Sequence, residues 1–298
     1  MEQKTPPATT LIISTMKIKT TNNLWLLTGA SATGKYHLEN GIPCQDAFCY
    51  KMISSHWGIA IVCDGAGSQP NSQFGSSLAA TVAFEALSDL LIHEKWLTTE
   101  NVPSDLEWRA VVNQVLFRVF NSLCDFASEH ELPVNSLAST IIMSVFSQSC
   151  VLSAHVGDGR MAVLTADNEW VAAISPFKGE TVGETVFITN LTQQNTCIYL
   201  STSMLAVPVK AVILLTDGLE NLAFTCYQPD ENDFFHDPNE PFAPFLNALT
   251  RSFAALSFEA TEFEIADKLT KFLESGHPAL SEEADDKTII ISILIDKP

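Results

Sequence analysis

Residues 57–67 read Trp57-Gly58-Ile59-Ala60-Ile61-Val62-Cys63-Asp64-Gly65-Ala66-Gly67, a run of apolar β-formers that ends in Asp-Gly. A carboxylate at the end of a buried strand has its direction fixed by the sheet, and the Gly beside it lets backbone or ligand approach closely. Three more segments share this design, the last opening from paired Asp: Ala154-His155-Val156-Gly157-Asp158-Gly159-Arg160, Val212-Ile213-Leu214-Leu215-Thr216-Asp217-Gly218-Leu219, and Asp285-Asp286-Lys287-Thr288-Ile289-Ile290-Ile291-Ser292-Ile293.

Four such strand ends predict a shared site for a hard cation. An isolated Asp-Gly after a strand is above all a turn signal. None of the four segments, however, is flanked on both sides by the two-residue spacing of a hairpin. Ligands that are all oxygen suit Mg²⁺ or Mn²⁺, whereas zinc prefers Cys and His.

Six short motifs follow one another along the chain: Gln45-Asp46-Ala47, Asp64-Gly65-Ala66-Gly67, Ser139-Thr140, Val156-Gly157-Asp158, Leu215-Thr216-Asp217-Gly218 and Asp285-Asp286-Lys287-Thr288. In this order they resemble the metal-dependent Ser/Thr phosphatases of the protein phosphatase 2C (PPM) type, and more closely their bacterial branch. The resemblance covers about residues 24–296. It implies an α+β fold, a four-layer αββα sandwich of two stacked antiparallel β-sheets flanked by helices.

The resemblance also implies a two-metal centre. Asp64 would bridge both ions, and Asp217 and Asp285 would hold one of them. The Gly65 carbonyl would help to hold the other ion, and Asp46 would touch that ion or its waters.

Two further residues take roles from the resemblance. Asp158 matches a Gly-Asp motif that bacterial relatives link to a weaker third metal. Thr140 is expected to orient Asp64 or a metal-bound water.

The chemistry of such a centre needs no nucleophilic side chain. A water that bridges two divalent cations has its pKa lowered toward about 7, and the same cations neutralise the phosphate dianion. In-line attack would release alcohol and phosphate in one step. Cys63 is therefore predicted to be a small core residue.

The chain departs from the family pattern on the phosphate side. Many members have an acidic residue at Gln45, a His at Ala66, and an Arg within the stretch that corresponds to residues 34–44, where this chain has none. His37 is our candidate for a phosphate contact or leaving-group acid, with Lys35 behind it. The alternative is that both are ordinary surface residues of a loop.

Length and composition favour a single catalytic domain. The 298 residues are 46% apolar, which is enough for a large core. We expect a flexible lead-in at residues 1–23, without a signal peptide, and one domain at 24–298. Seven Cys, an odd number without a C-x-x-C pair, predict free thiols in the cytoplasm.

The charge narrows the class of partner. With 35 acidic against 16 basic side chains the formal charge is −19, which disfavours nucleic acid. The longest apolar runs are strand-sized, so no membrane insertion is expected. Phosphorylated proteins are the expected substrates, with a cognate Ser/Thr kinase pathway.

Periodicity predicts helices at 78–91 and 263–273, and a third that opens with a capping box of Ser104 and Glu107. His155 is predicted to be a core histidine. The predicted strands are 140–146, 150–156, 160–164, 185–189, 212–215 and 288–295.

Two connections have two readings each. Residues 174–184, which contain Lys178-Gly179-Glu180, fit either a mobile flap or a plain surface loop. The acidic, Pro-rich segment 228–241 could screen substrates or bind a partner, or it could be a solvated insertion.

The leading hypothesis is a Mg²⁺/Mn²⁺-dependent phosphatase that acts on phosphoserine and phosphothreonine. One alternative is a catalytically weak, phosphatase-like regulatory or binding module, which the departures at Gln45 and Ala66 favour. Clustered carboxylates argue against it, since a scaffold has no reason to keep them at electrostatic cost. The other alternative is a hydrolase of small phosphate esters.

Overall fold

A computed structural model describes residues 23–94, 96, 102–177, 185–192, 195–226, 228–229 and 235–296. Nearly all of the predicted lead-in lies outside the described residues. So do Lys178-Gly179-Glu180 of the predicted flap and residues 230–234 of the acidic segment.

The described chain contains fourteen strands and eight α-helices. The strands are β1 (Asn23–Ala32), β2 (Ala47–Met52), β3 (Gly58–Cys63), β4 (Ile141–Phe146), β5 (Val151–Val156), β6 (Arg160–Thr165), β7 (Trp170–Ala172), β8 (Ser201–Leu205), β9 (Val209–Leu215), β10 (Phe224–Thr225), β11 (Gln228–Pro229), β12 (Phe235–His236), β13 (Glu240–Pro241) and β14 (Lys287–Asp296). The helices are α1 (Lys35–Asn40), α2 (Ser72–His93), α3 (Asp105–Glu129), α4 (Thr196–Tyr199), α5 (Glu220–Ala223), α6 (Ala243–Glu259), α7 (Glu262–Ser275) and α8 (Pro278–Glu282).

The long strands form two antiparallel five-stranded sheets. The order in one sheet is β1-β14-β9-β6-β7, and in the other it is β2-β3-β4-β5-β8. Apolar residues between the sheets form one core, and the outer faces are covered by α2 and α3 on one sheet and by α6 and α7 on the other. The predicted four-layer sandwich is confirmed.

Helix α2 is a core helix, although its length and composition would allow it to cross a membrane. In its most apolar 18-residue window, 56% of the residues are buried inside the protein. Its Ala79, Ala83 and Leu87 are fully buried between α3 and the sheet.

The predicted helices are all present, and α3 opens with the predicted capping box of Ser104 and Glu107. The strand predicted at 185–189 is wrong. Residues Ile188–Asn190 form a 3₁₀ turn whose Ile188 N–H donates to the carbonyl of Ser139 at 2.8 Å. Val186 and Ile188 are both buried. The strand-like alternation of apolar residues therefore reflects two side chains that a loop packs into the core.

His155 is buried in β5, as predicted, with 2% of its surface exposed. Its Nε2 lies 2.8 Å from the carbonyl oxygen of Ser175, to which it donates in the neutral tautomer. Burial lowers the pKa of His155 to about 4, and the bond to Ser175 opposes that effect only partly.

Replacing His155 by Gln should flatten the dependence of stability on pH. The unfolded chain binds a proton near pH 6.5 and the folded chain only near pH 4, so stability falls as pH decreases through this window. At pH 5 the loss is about 2 kcal/mol relative to pH 7.5. Urea unfolding of both proteins at the two pH values measures it, and equal pH dependence in both would contradict the assignment.

Candidate metal centre

The acidic residues singled out in the sequence lie at one edge of the sandwich. In the β2 sheet, Cys63 pairs with Ala47, so Asp64 and Asp46 flank the same edge. Asp64 follows the end of β3, and Asp46 precedes the start of β2.

The other sheet brings its carboxylates to the same edge. Leu215 at the end of β9 pairs with both Ile289 of β14 and Arg160 of β6. Asp217 follows β9, Asp285 precedes β14, and Asp158 precedes β6. The five residues Asp46, Asp64, Asp158, Asp217 and Asp285 are called the carboxylate cluster below.

Electrostatic coupling shows that the members of the cluster converge on Asp64. Burial is the largest cause that raises the pKa of Asp64 well above its usual range. Repulsion from Asp46, Asp217, Asp285 and Asp158, in that order, raises it further. Without a cation, burial and mutual repulsion therefore favour the protonated form of Asp64.

Two carboxylate oxygens of the cluster are buried and accept no hydrogen bond from the described residues. They are Oδ1 of Asp46 and Oδ1 of Asp217. Burial, followed by repulsion from Asp158 and Asp285, raises the pKa of Asp217 to about 7. An orphaned, buried carboxylate oxygen is costly unless a cation binds it, so these residues fit a hard divalent ion.

Hydrogen bonds from neighbouring strands hold the ligands in place. Thr140 Oγ1 accepts from the Asp64 N–H at 3.1 Å, and the Thr140 N–H donates to the Asp64 carbonyl at 2.8 Å. Gly65 donates to the Gln45 carbonyl at 3.1 Å, and a Cβ at Gly65 would lie 2.5 Å from that oxygen. Only Gly fits beside Asp64.

Thr216 is a supporting residue to which the sequence reasoning gave no role. Its hydroxyl donates to Oδ2 of Asp46 at 2.9 Å and accepts from the Thr288 N–H at 3.0 Å. The hydroxyl therefore links the β9–β14 pair to the ligand at the start of β2. Its position directly before Asp217 in the Thr-Asp-Gly motif was the sequence feature that could have indicated this role.

Asp286 is the second residue that sequence reasoning missed. It is 2% exposed, and its carboxylate accepts from the Gly34 N–H at 2.7 Å and from the Gln45 N–H at 2.6 Å. Its Oδ1 also lies 2.9 Å from Nδ1 of His37. The Asp286 carboxylate thus joins the start of β14 to helix α1 and to Gln45, the residue before Asp46.

His37 and Lys35 have different environments. His37 lies in α1, not in a loop, and is only 4% exposed. Its Nε2 faces Gly67, 3.9 Å from where a Cβ on that glycine would lie. Lys35 is partly exposed, and its ammonium lies 2.5 Å from the Glu282 carboxylate.

A buried arginine side chain lies beside the cluster. Arg160, two residues after Asp158, is fully buried and donates to Glu220 Oε2 from Nε at 2.9 Å and from Nη2 at 2.8 Å. It also donates to Asp237 Oδ2 at 2.6 Å and to Asn239 Oδ1 at 2.7 Å. Part of the acidic segment 228–241 is therefore fixed to the protein near the site.

The αββα sandwich and the carboxylate cluster at its edge define a metal-dependent hydrolase. A family model described as Protein phosphatase 2C matches residues 33–274, and the match ends before Asp285. The chain therefore belongs to the protein phosphatase 2C family and is a Mg²⁺/Mn²⁺-dependent serine/threonine phosphatase.

Individual relatives agree with this assignment. Serine/threonine-protein phosphatase 3 of Escherichia coli (strain K12) is 29% identical over 278 residues, which are 90% of this chain and 98% of that protein. Among solved structures, PppA of Pseudomonas aeruginosa has a TM-score of 0.55 at 14% identity, covering 91% of this chain and 98% of its own. The catalytic domain of PstP, in complex with two manganese ions, has a TM-score of 0.51 at 14% identity, covering 93% and 100%. The two structures support the fold.

Metal binding should release protons. With a pKa near 7 in the metal-free protein, most of the Asp217 carboxyl is protonated at pH 6.5, and a metal needs the carboxylate. Calorimetric titration with Mn²⁺ in buffers of different ionisation enthalpy should show release of about one proton or more at pH 6.5, and less at pH 8.5.

Two variants calibrate that titration. Asp217→Asn should release fewer protons, whereas Asp125→Asn, at an exposed position of α3, should match the wild type. A binding enthalpy that does not depend on the buffer would contradict the raised pKa values.

Proposed function

We propose that Asp64 bridges two divalent cations in this phosphatase. Asp217 and Asp285 would hold one ion, and Asp46 together with the Gly65 carbonyl would serve the other. The observation that carries this proposal is the pair of orphaned oxygens, Oδ1 of Asp46 and Oδ1 of Asp217, in a cluster that repels itself.

Two residues around this centre have supporting roles in the proposal. Asp158 would serve a weaker third ion, since its charge is one of those that raise the pKa of Asp217. Thr140 would orient Asp64, because its hydroxyl and N–H both bond the Asp64 backbone.

When bound, the two cations would supply hydroxide at neutral pH and neutralise the phosphate dianion. The protein holds their ligands on strand ends of both sheets, so that little reorganisation is needed. His37 would hold a proton at Nε2 for the leaving oxygen, while Asp286 fixes the ring from the Nδ1 side. Lys35 would stay behind it as a weaker contact, because Glu282 already neutralises its charge.

The substrates are phosphorylated proteins. We propose that the enzyme acts in a signalling pathway that contains a cognate Ser/Thr kinase. The regulatory role of PppA, a key regulatory component of T6SS in Pseudomonas aeruginosa, supports this proposal. We also propose a cytoplasmic location, which the free thiols of Cys44, Cys49, Cys63, Cys124 and Cys150 support.

Asp64→Asn should abolish metal-dependent phosphate release. The change removes the negative charge of the Asp64 side chain and nearly preserves its shape, so the protein should still fold. The measurement is phosphate release from a phosphothreonine peptide by EDTA-stripped protein, with Mn²⁺ or Mg²⁺ titrated back. The loss should be at least about a thousandfold.

Asp125→Asn is the matched control, with the same chemical change at an exposed position far along α3. It should keep wild-type activity. Metal-dependent release retained by Asp64→Asn would refute the bridging role. No release from wild-type protein that binds metal would instead support a regulatory module.

His37→Gln should affect substrates according to their leaving group. An alkoxide leaving from phosphothreonine needs a proton, whereas 4-nitrophenolate does not, so kcat should fall about a hundredfold on the peptide and far less on 4-nitrophenyl phosphate. His56→Gln, at an exposed position, is the control. Equal losses on both substrates would mean that His37 only supports the structure.

A further inference from the structure

A buried arginine joins the turn that carries Asp158, residues 157–159, to the turn that carries Asp217. Arg160 opens β6 directly after the Asp158 turn, and its Nε and Nη2 donate to Oε2 of Glu220 at 2.9 and 2.8 Å. Glu220 directly follows the 3₁₀ turn Asp217–Leu219. Because Arg160 is fully buried, this charge-assisted pair fixes the two turns relative to each other.

The acidic segment 228–241 completes the hydrogen bonds of this arginine. Oδ2 of Asp237 accepts from Nη2 of Arg160 at 2.6 Å, and Oδ1 of Asn239 accepts from Nη1 at 2.7 Å. The Asn239 N–H also donates to Oδ1 of Asp237 at 2.9 Å. Asn239 has a φ of +50°, in the left-handed region that Asn adopts more readily than most residues. Asp237 and Asn239 are therefore held against the base of β6.

The other end of the Asn239 carboxamide contacts the loop that follows β7. Nδ2 of Asn239 donates to the carbonyl of Ile174 at 2.7 Å. Three residues later in this loop, the N–H of Phe177 donates to the carbonyl of Gly157 at 2.8 Å. Gly157 directly precedes Asp158. Loop 174–177 therefore lies along the Asp158 turn, and Asn239 holds the first residue of that loop.

The carboxylates on the two turns are electrostatically coupled. After burial, repulsion from Asp158 is the largest cause that raises the pKa of Asp217 to about 7. Oδ1 of Asp217 is buried and accepts no hydrogen bond from the described residues. A cation between the two carboxylates would relieve the repulsion. Its affinity depends on how far apart the two turns are held.

We propose that Asp237 and Asn239 are positioning residues of this phosphatase. Through Arg160 and loop 174–177, they hold the Asp158 turn at the distance from Asp217 that the weaker third ion requires. They act through these contacts and not as ligands. The inference rests on the proposed role of Asp158 and gives the acidic segment a function in the reaction.

Asn239→Gly is the variant that tests this role. Glycine adopts a φ of +50° without strain, and loss of an uncharged side chain leaves Arg160 paired with both Glu220 and Asp237. Replacing Arg160 itself would leave two largely buried carboxylates without their cation, so a general loss of stability would obscure the result.

Asn168→Gly is the matched control. Asn168 also has a positive φ, of 64°, and its Oδ1 also accepts from a cationic side chain, the Nζ of Lys210 at 2.8 Å. It lies in the exposed turn between β6 and β7, beyond the end of β6 that Arg160 does not occupy.

The measurement is a titration with Mn²⁺ in which the electron paramagnetic resonance signal of the free ion counts the bound ions. Wild-type protein should bind two ions tightly and a third more weakly, and Asp158→Asn should remove the weak phase alone. Asn239→Gly should weaken the weak phase about tenfold and keep both tight phases, which also show that the variant is folded. Asn168→Gly should match the wild type.

Three results would contradict the inference. Tight and weak phases that weaken together in Asn239→Gly would mean that Asn239 only supports the fold. A weak phase that Asn239→Gly leaves unchanged would remove its positioning role. Wild-type protein that binds only two ions would overturn the third-ion role of Asp158 together with this inference, whereas phosphate release by that protein would show that the two-metal phosphatase is intact.

Discussion

Mutual repulsion of five carboxylates at one edge of two β-sheets is the constraint on which the rest of the structure depends. Burial and four like charges raise the pKa of Asp64, and the pKa of Asp217 is raised to about 7. A protein keeps such an arrangement only if cations or protons neutralise it. The fold contributes rigidity, because strand ends from both sheets fix where each carboxylate lies.

Polar side chains around the cluster tie its strands and loops together. Asp286 accepts two backbone N–H bonds and contacts His37, which fixes α1 and the start of β2 against the loop before β14. Thr216 ties β14 to Asp46. Arg160 pairs with Glu220 and Asp237 beside the cluster, and repulsion from Glu220 still contributes to the raised pKa of Asp217. Within the cluster, the orphaned Oδ1 atoms of Asp46 and Asp217 mark where cations would bind.

The sequence predicted the sandwich and the convergence of acidic residues, because apolar runs that end in Asp-Gly show both the strand and its last side chain. It could not predict the role of Asp286, since the bonds that define this role come from residues about 240 to 250 positions earlier in the chain. The same limit applies to helix α1, which carries the candidate residue His37: its N–H groups bond to the carbonyls of Glu283 and Ala284, and the local sequence did not predict it. The strand predicted at 185–189 was wrong because alternating apolar residues indicate which side chains are buried, not whether the backbone pairs with another strand.

The most direct test of the central claim is an anomalous difference map from crystals of the protein soaked in Mn²⁺. The account predicts two strong peaks at the sandwich edge, both within bonding distance of Asp64. Asp217 and Asp285 should contact one peak, and Asp46 should lie next to the other. A single peak that Asp64 does not contact, or peaks only away from the cluster, would contradict it.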